Sequence, residues 1–121
     1  MKAAIALATL AAGSAIPVEL TCDLPRRPTP AIETIAYFCA AELLANAAKH
    51  SHANKIKLQA AERDGALRLH VSDDGAGGAD PAGGSGLSGL AQRVRTVDGR
   101  MEIASPPDGP TRITVELPLR A

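Results

Sequence analysis

Glu42, Asn46 and Lys49 stand at i, i+4 and i+7 in the stretch Glu42-Leu43-Leu44-Ala45-Asn46-Ala47-Ala48-Lys49-His50. On a helix that spacing gathers a carboxylate, a carboxamide and an ammonium on one face over two turns, while Leu43, Ala47 and Cys39 point elsewhere. Such a row makes a poor core. It suits a hydrated magnesium ion and the phosphates it carries, because magnesium takes oxygen ligands and keeps several waters. A solvated helix face with spaced charges satisfies the same pattern, and this stretch alone does not separate the two readings.

Two glycine-rich motifs carry the rest of the candidate chemistry. Asp73-Asp74-Gly75-Ala76-Gly77 comes directly after an alternating run. Asp73 therefore emerges at the end of a rigid element, where an acceptor can be aimed at one specific donor, and the glycines let backbone approach a flat ligand. Gly83-Gly84-Ser85-Gly86-Leu87 opens a second helical pattern, and the amides at a helix amino terminus form an anion site. A flexible surface linker would have the same composition. Neither G-x-x-x-x-G-K-[ST] nor G-x-G-x-x-G after a first strand is present.

The elements that must position these residues are set by periodicity. Val18 to Leu24 alternates as a half-buried strand, and Pro25, Pro28 and Pro30 break it, with Thr29 placed to cap the next helix. From Pro30 to His50, Ile32, Ile35, Ala36, Cys39, Leu43 and Ala47 recur at three- and four-residue spacing, which predicts a long helix. Lys55 to Ala61 and Leu67 to Asp73 read as a hairpin about Asp64-Gly65. A second helix is expected from about Leu87 to Val97, and Arg100 to Ala104 with Thr111 to Leu117 form a last strand pair. This order predicts an α+β fold, a two-layer sandwich with helices on one face of a mixed, mostly antiparallel sheet.

Composition excludes several functions. The chain has 121 residues, with 13 basic and 13 acidic side chains, so no basic surface for nucleic acid or for a membrane is expected. Tyr37 and Phe38 are the only aromatics, too few for base-stacking platforms. Cys22 and Cys39 lack a C-x-x-C context and read as reduced, buried small hydrophobes. His50 and His52 are two apart, so a shared metal is not expected, and His70 lies inside an alternating run. Met1-Lys2, the apolar run to Ala12 and Gly13-Ser14-Ala15 imitate an export signal, but a short Ala/Leu helix ended by Gly13 and Pro17 fits them too. No run reaches the roughly 20 apolar residues of a membrane span.

In order and spacing, the polar helix face, the D-x-G-x-G and the G-x-G-L resemble the ATP-binding domain shared by sensor histidine kinases, gyrases, the heat-shock chaperone of ninety kilodaltons and mismatch-repair ATPases. The resemblance covers about residues 18 to 119. Within that superfamily the chain is most similar to histidine kinases of the nitrate-sensor and desaturase-sensor type. The similarity lies in the stretch from Glu42 to His50, Asp73-Asp74-Gly75, Gly89-Leu90-Ala91-Gln92-Arg93-Val94, Gly99 and Leu117-Pro118-Leu119. The short separation of the glycine boxes, Ala79 to Gly83, is similar to that group's ATP lid.

The resemblance implies a fold of the Bergerat type and ATP with Mg2+ as cofactors. By it, Asn46 would ligate magnesium, Glu42 would orient a metal-bound water, and Lys49 and His50 would face phosphates or ribose. Asp73 would accept from the adenine amino group, Gly75 and Gly77 would floor the adenine pocket, and Gly84, Gly86 and Leu87 would close the lid. Thr111 matches a position near the adenine. The dimerising helix pair with its phosphoacceptor histidine has no counterpart here, so residues 1–16 are expected to be the remnant of a preceding linker or dimerisation helix and 17–121 the catalytic domain, with Met1 an introduced start. The implied function is the catalytic domain of a bacterial two-component sensor kinase, donating the γ-phosphate to a histidine on a separate domain and reaching a response regulator indirectly. A cytoplasmic location is implied, with or without a membrane anchor in the parent and with no direct membrane contact by this chain. An anti-sigma-factor serine kinase of the same fold, or a nucleotide-sensing module without transfer, are the alternatives.

Overall fold

The computed structural model describes residues 2–26, 28–50, 54–75, 87–104 and 110–119, without the side chains of residues 2–4, 49 and 50. The alternating runs form five strands, β1 (Val18–Asp23), β2 (Ile56–Arg63), β3 (Ala66–Asp73), β4 (Arg100–Ala104) and β5 (Arg112–Pro118). The helical patterns form α1 (Lys2–Ala12), α2 (Pro30–His50) and α3 (Leu87–Arg95). One sheet results, in the order β1-β2-β3-β5-β4, with β1 parallel to β2 and every other pair antiparallel. The expected α+β sandwich with a mostly antiparallel sheet is therefore the observed architecture.

Alternation decides which face is covered. Ile56, Leu58, Leu69, Val71, Ile113 and Val115 point into the core, while Lys57, Gln59, His70 and Thr114 lie on the opposite face. The helices close the apolar face: α2 brings Ile32, Cys39, Leu43 and Ala47, α3 brings Leu90 and Val94, and α1 adds Leu7. On the open face His70 Nδ1 is 2.9 Å from the Thr114 hydroxyl, and partial burial with Arg68 and Arg112 nearby lowers the imidazole pKa.

Two turns depend on left-handed backbone. Asp64 (φ 52°) and Gly65 (φ 78°) join β2 to β3 as the two-residue hairpin that the sequence predicts. After α3, Asp98 takes φ 60° and the Gly99 amide returns to the Val94 carbonyl at 2.9 Å. A Cβ on Gly99 would stand 2.6 Å from the Glu116 carbonyl oxygen and 2.8 Å from Val94 Cγ1, so the end of α3 is pressed against β5 in a way only glycine permits.

Three expectations differ from the structure. Thr29 lends its carbonyl to the Glu33 amide at 2.9 Å, but its hydroxyl is buried with no partner among the described residues, so it does not cap α2 through its side chain. Cys22 is only half-buried, since it lies on the outermost strand; Cys39 is fully buried, and both are free thiols. Burial pushes the Cys39 thiol up to about 11, which keeps it protonated near neutrality. The stretch Pro30–Ala48 within α2 is long and apolar enough to cross a bilayer by length and composition, contrary to the expectation of no such run. Here its apolar stripe covers the sheet. Tyr37 and Phe38, the two aromatics, are 43% and 45% exposed.

Candidate functional site

At the end of β3 the structure brings Asp73, Gly75 and Thr111 together. Asp73 is the last residue of that strand, paired across β2 with Ile56. Since α2 ends at His50 and β2 begins at Ile56, the short link between them brings the carboxyl end of α2 to the same edge of the sheet. On the other side Ser72 pairs with Arg112, which sets Thr111 beside Asp73. The Asp73 amide donates to the Thr111 carbonyl at 3.0 Å.

Burial marks Asp73 and Thr111 off from ordinary surface groups. Each is 8% exposed, and they are the buried polar residues among those described. One carboxylate oxygen of Asp73 accepts from the Gly75 amide at 2.8 Å, a local turn that fixes the side chain. No hydrogen bond to its second oxygen is seen among the described residues. Asp74 has a different task. Its Oδ1 accepts from the Asn54 amide at 2.7 Å and the Lys55 amide at 3.1 Å, tying the entry to β2 onto the end of β3. Those two backbone hydrogen bonds hold its carboxyl below the ordinary aspartate value. Periodicity exposes no contact made to backbone, so the sequence alone predicts no role for Asp74.

On α2, Glu42 is exposed and Asn46 half-buried. The Asn46 amide nitrogen is buried with no hydrogen-bond partner among the described residues. A half-turn of the carboxamide exchanges its nitrogen and oxygen, so the buried position can offer a donor or an acceptor. An unpaired buried polar atom costs about 1–3 kcal/mol, which a ligand or a metal-bound water would recover. The carboxamide therefore fits an oxygen donor to magnesium, and the exposed Glu42 carboxylate one turn earlier fits a partner for its waters.

The start of α3 completes the described part of the site. Leu87 is 1% exposed and begins that helix. Arg93 lies with its guanidinium 4.9 Å from the centre of the Phe38 ring, a cation–π contact between α3 and α2 that the sequence did not reveal. Gly77, Gly84 and Gly86 fall outside the described residues, as do the side chains of Lys49 and His50. Asn46, Asp73, Gly75, Thr111 and Leu87 all stand on, or next to, the elements that bound one end of the sheet.

The chain is similar to known proteins in sequence and in fold. Residues 32–121 match the model of the histidine kinase-, DNA gyrase B- and HSP90-like ATPase family. The chain is 34% identical over 92 residues to the oxygen sensor histidine kinase NreB of Staphylococcus carnosus, covering 73% of this chain and 26% of NreB. It is 31% identical over 103 residues to the nitrate/nitrite sensor protein NarX of Escherichia coli, covering 82% of this chain and 17% of NarX. The chain thus spans about a quarter or less of the length of these curated relatives. Among solved structures, the histidine kinase domain of a blue-light activated histidine kinase from Erythrobacter litoralis superposes with a TM-score of 0.69 at 20% identity, covering 97% of this chain and 57% of that one, a likeness of fold. With its matched residues spanning well over half its length, the chain belongs to the histidine kinase-, DNA gyrase B- and HSP90-like ATPase family.

Proposed function

We propose that the chain is the ATP-binding catalytic domain of a two-component sensor histidine kinase, which binds Mg-ATP and donates the γ-phosphate to a histidine on a separate dimerising domain. The observation that carries this reading is the buried Asp73 carboxylate, fixed by the Gly75 amide beside Thr111 at the end of β3.

Each residue then has one task. Asp73 accepts from the adenine amino group, and Thr111 and Gly75 line the same edge. Gly77 extends the floor of the base pocket. Asn46 would hold magnesium and Glu42 would orient its waters; bound there, the ion supplies charge neutralisation at the phosphates. Lys49 and His50 bind phosphate or ribose oxygens, and Gly84, Gly86 and Leu87 cover the triphosphate. In the transfer the acceptor imidazole nitrogen bonds to the γ-phosphorus, the bond to the β–γ bridging oxygen breaks, and ADP leaves. Positioning the two reactants supplies most of the acceleration, which this chain achieves only with its partner domain.

On the same reading, residues 1–16 continue from a linker or dimerising helix, although Leu7 contributes to the core. The need for ATP places the domain on the cytoplasmic side, and the response regulator is reached through the phosphohistidine.

The test is transfer from γ-labelled ATP to the purified dimerising domain of a related kinase. Acid-labile label on the added domain, with none on the chain alone, is expected. Acid-labile label on the chain alone would contradict the separate acceptor, and acid-stable label on an added partner would favour the serine-kinase reading.

A further inference from the structure

The sheet face turned away from the helices carries its charges in a pattern. By strand register, the central strands β2, β3 and β5 present Lys57, Arg63, Arg68 and Arg112 there, against one acid, Glu116. The outer strands present Glu19 and Asp23 on β1 and Glu102 on β4. Glu116 is satisfied within the sheet, 2.8 Å from Arg100 and 3.9 Å from Arg68. Lys57, Arg63 and Arg112 make no ion pair among the described residues. The face is therefore basic at its centre and acidic along both edges.

The cations fall in two rows. Ser72 pairs with Lys57 on one side and Arg112 on the other, which makes the first. Arg68 pairs with Ala61, two residues from Arg63, which makes the second. The rows are four residues of β2 apart, about 13 Å at 3.3 Å per residue. A concavity of about 590 Å3 runs from the second row over Gln59, His70 and Thr114, and Glu62 at its border is held by the Arg26 guanidinium at 2.6 Å. This layout selects an occupant by charge complementarity. A second copy would set cations against cations. Nucleic acid or an anionic membrane would extend negative charge onto Glu19, Asp23 and Glu102, and one small anion would satisfy a single row. A protein segment with carboxylates about four extended residues apart reaches both.

We propose that the open face of the sheet docks an acidic segment of a partner protein, laid along β2 and β3 with one carboxylate group at Lys57 and Arg112 and another at Arg63 and Arg68. The proposal stands independently of the nucleotide reading, because Asp73 lies on the helix side of β3 with Val71. His70 sits between the rows and reports on both. Burial first, then Arg68 and Arg112, lower its pKa. Carboxylates brought to those arginines should raise it, whereas Lys57, Glu116 and Glu102 on the neighbouring strands act in the free and the bound chain alike.

The test titrates the full chain by calorimetry with a capped six-residue peptide, two glutamates at each end of a glycine-serine middle. Its lysine counterpart, glutarate and a short single-stranded oligonucleotide are run in parallel, and the His70 ring is followed by NMR. Saturable binding of the glutamate peptide is expected, weakened by added salt, with glutarate weaker by at least about tenfold because it spans one row. The His70 pKa should rise in the complex. Lys57→Gln and Arg63→Gln change exposed side chains, so both variants should fold and keep Mg-ATP binding, while each lowers peptide affinity roughly two- to fivefold. An equal affinity for the lysine peptide, for glutarate or for the oligonucleotide would overturn the proposal. So would an affinity that neither variant lowers, or a His70 pKa that the peptide leaves unmoved.

Discussion

The Asp73 amide donates to the Thr111 carbonyl across 3.0 Å, one step past the last register pair of β3 with β5. That hydrogen bond joins the two buried polar residues of the domain's described part and holds the Asp73 side chain at a fixed height above the sheet edge. A carboxylate so placed selects a donor by position.

Asp73→Asn should separate binding from folding. Asn keeps an oxygen that can accept from the Gly75 amide, so the melting temperature should change little. It also places an NH2 where the second carboxylate oxygen stood, opposite the adenine amino group. One mispaired buried group costs about 1–3 kcal/mol, a fall in ATP affinity of roughly 5- to 150-fold. Calorimetry on the folded variant checks this, and unchanged affinity would remove Asp73 from base recognition.

Asn46→Ala should act on the other half of the ligand. Adenine contacts remain, while the magnesium dependence of ATP affinity should disappear. Titrations with magnesium and with a chelator compare the two directly. A variant that still binds ATP more tightly with magnesium would show that the ion is held elsewhere.

Acid should loosen the seam between β2 and β3. The Asn54 and Lys55 amides lower the Asp74 pKa on folding from its ordinary value of 3.8. The folded state then binds fewer protons, so the stabilisation is complete above 3.8 and is lost as pH falls through the lower folded value. Asp74→Ala should flatten the acid limb of denaturant midpoint against pH. An unaltered slope would mean that other carboxylates carry it.

Gly99→Ala tests the packing that ends α3. Its new Cβ meets the Glu116 carbonyl oxygen at 2.6 Å, and backbone cannot give way as a flexible side-chain tip would. Overpacking of this kind costs about 1–3 kcal/mol. Urea unfolding should show the loss, with ATP affinity retained in the folded fraction.

Much of this was legible in the sequence, because periodicity reports burial. The stripe from Ile32 to Ala47 and the alternation in β2 and β3 named the core faces, and Asp64-Gly65 named its turn. Asp73 and Asn46 stood out because polar groups at element ends or on an apolar helix are otherwise costly. Interactions without a pattern escaped. Asp74 binds backbone amides that no side-chain spacing records, and the Phe38–Arg93 contact joins two helices distant in sequence. The Thr29 hydroxyl faces inward despite a capping position, and Cys22 is half-buried because its strand is the sheet's edge.

The central claim is that a buried carboxylate reads adenine while the end of α2 holds the metal. Its most direct test is the thermal stability of the chain with Mg-ATP and with Mg-GTP. At about one hundred times its Kd, Mg-ATP should stabilise the fold by about 2.7 kcal/mol. Mg-GTP at the same concentration should give a far smaller shift, because guanine sets a carbonyl oxygen against the Asp73 carboxylate. Equal shifts with the two nucleotides, or none with either, would contradict the account.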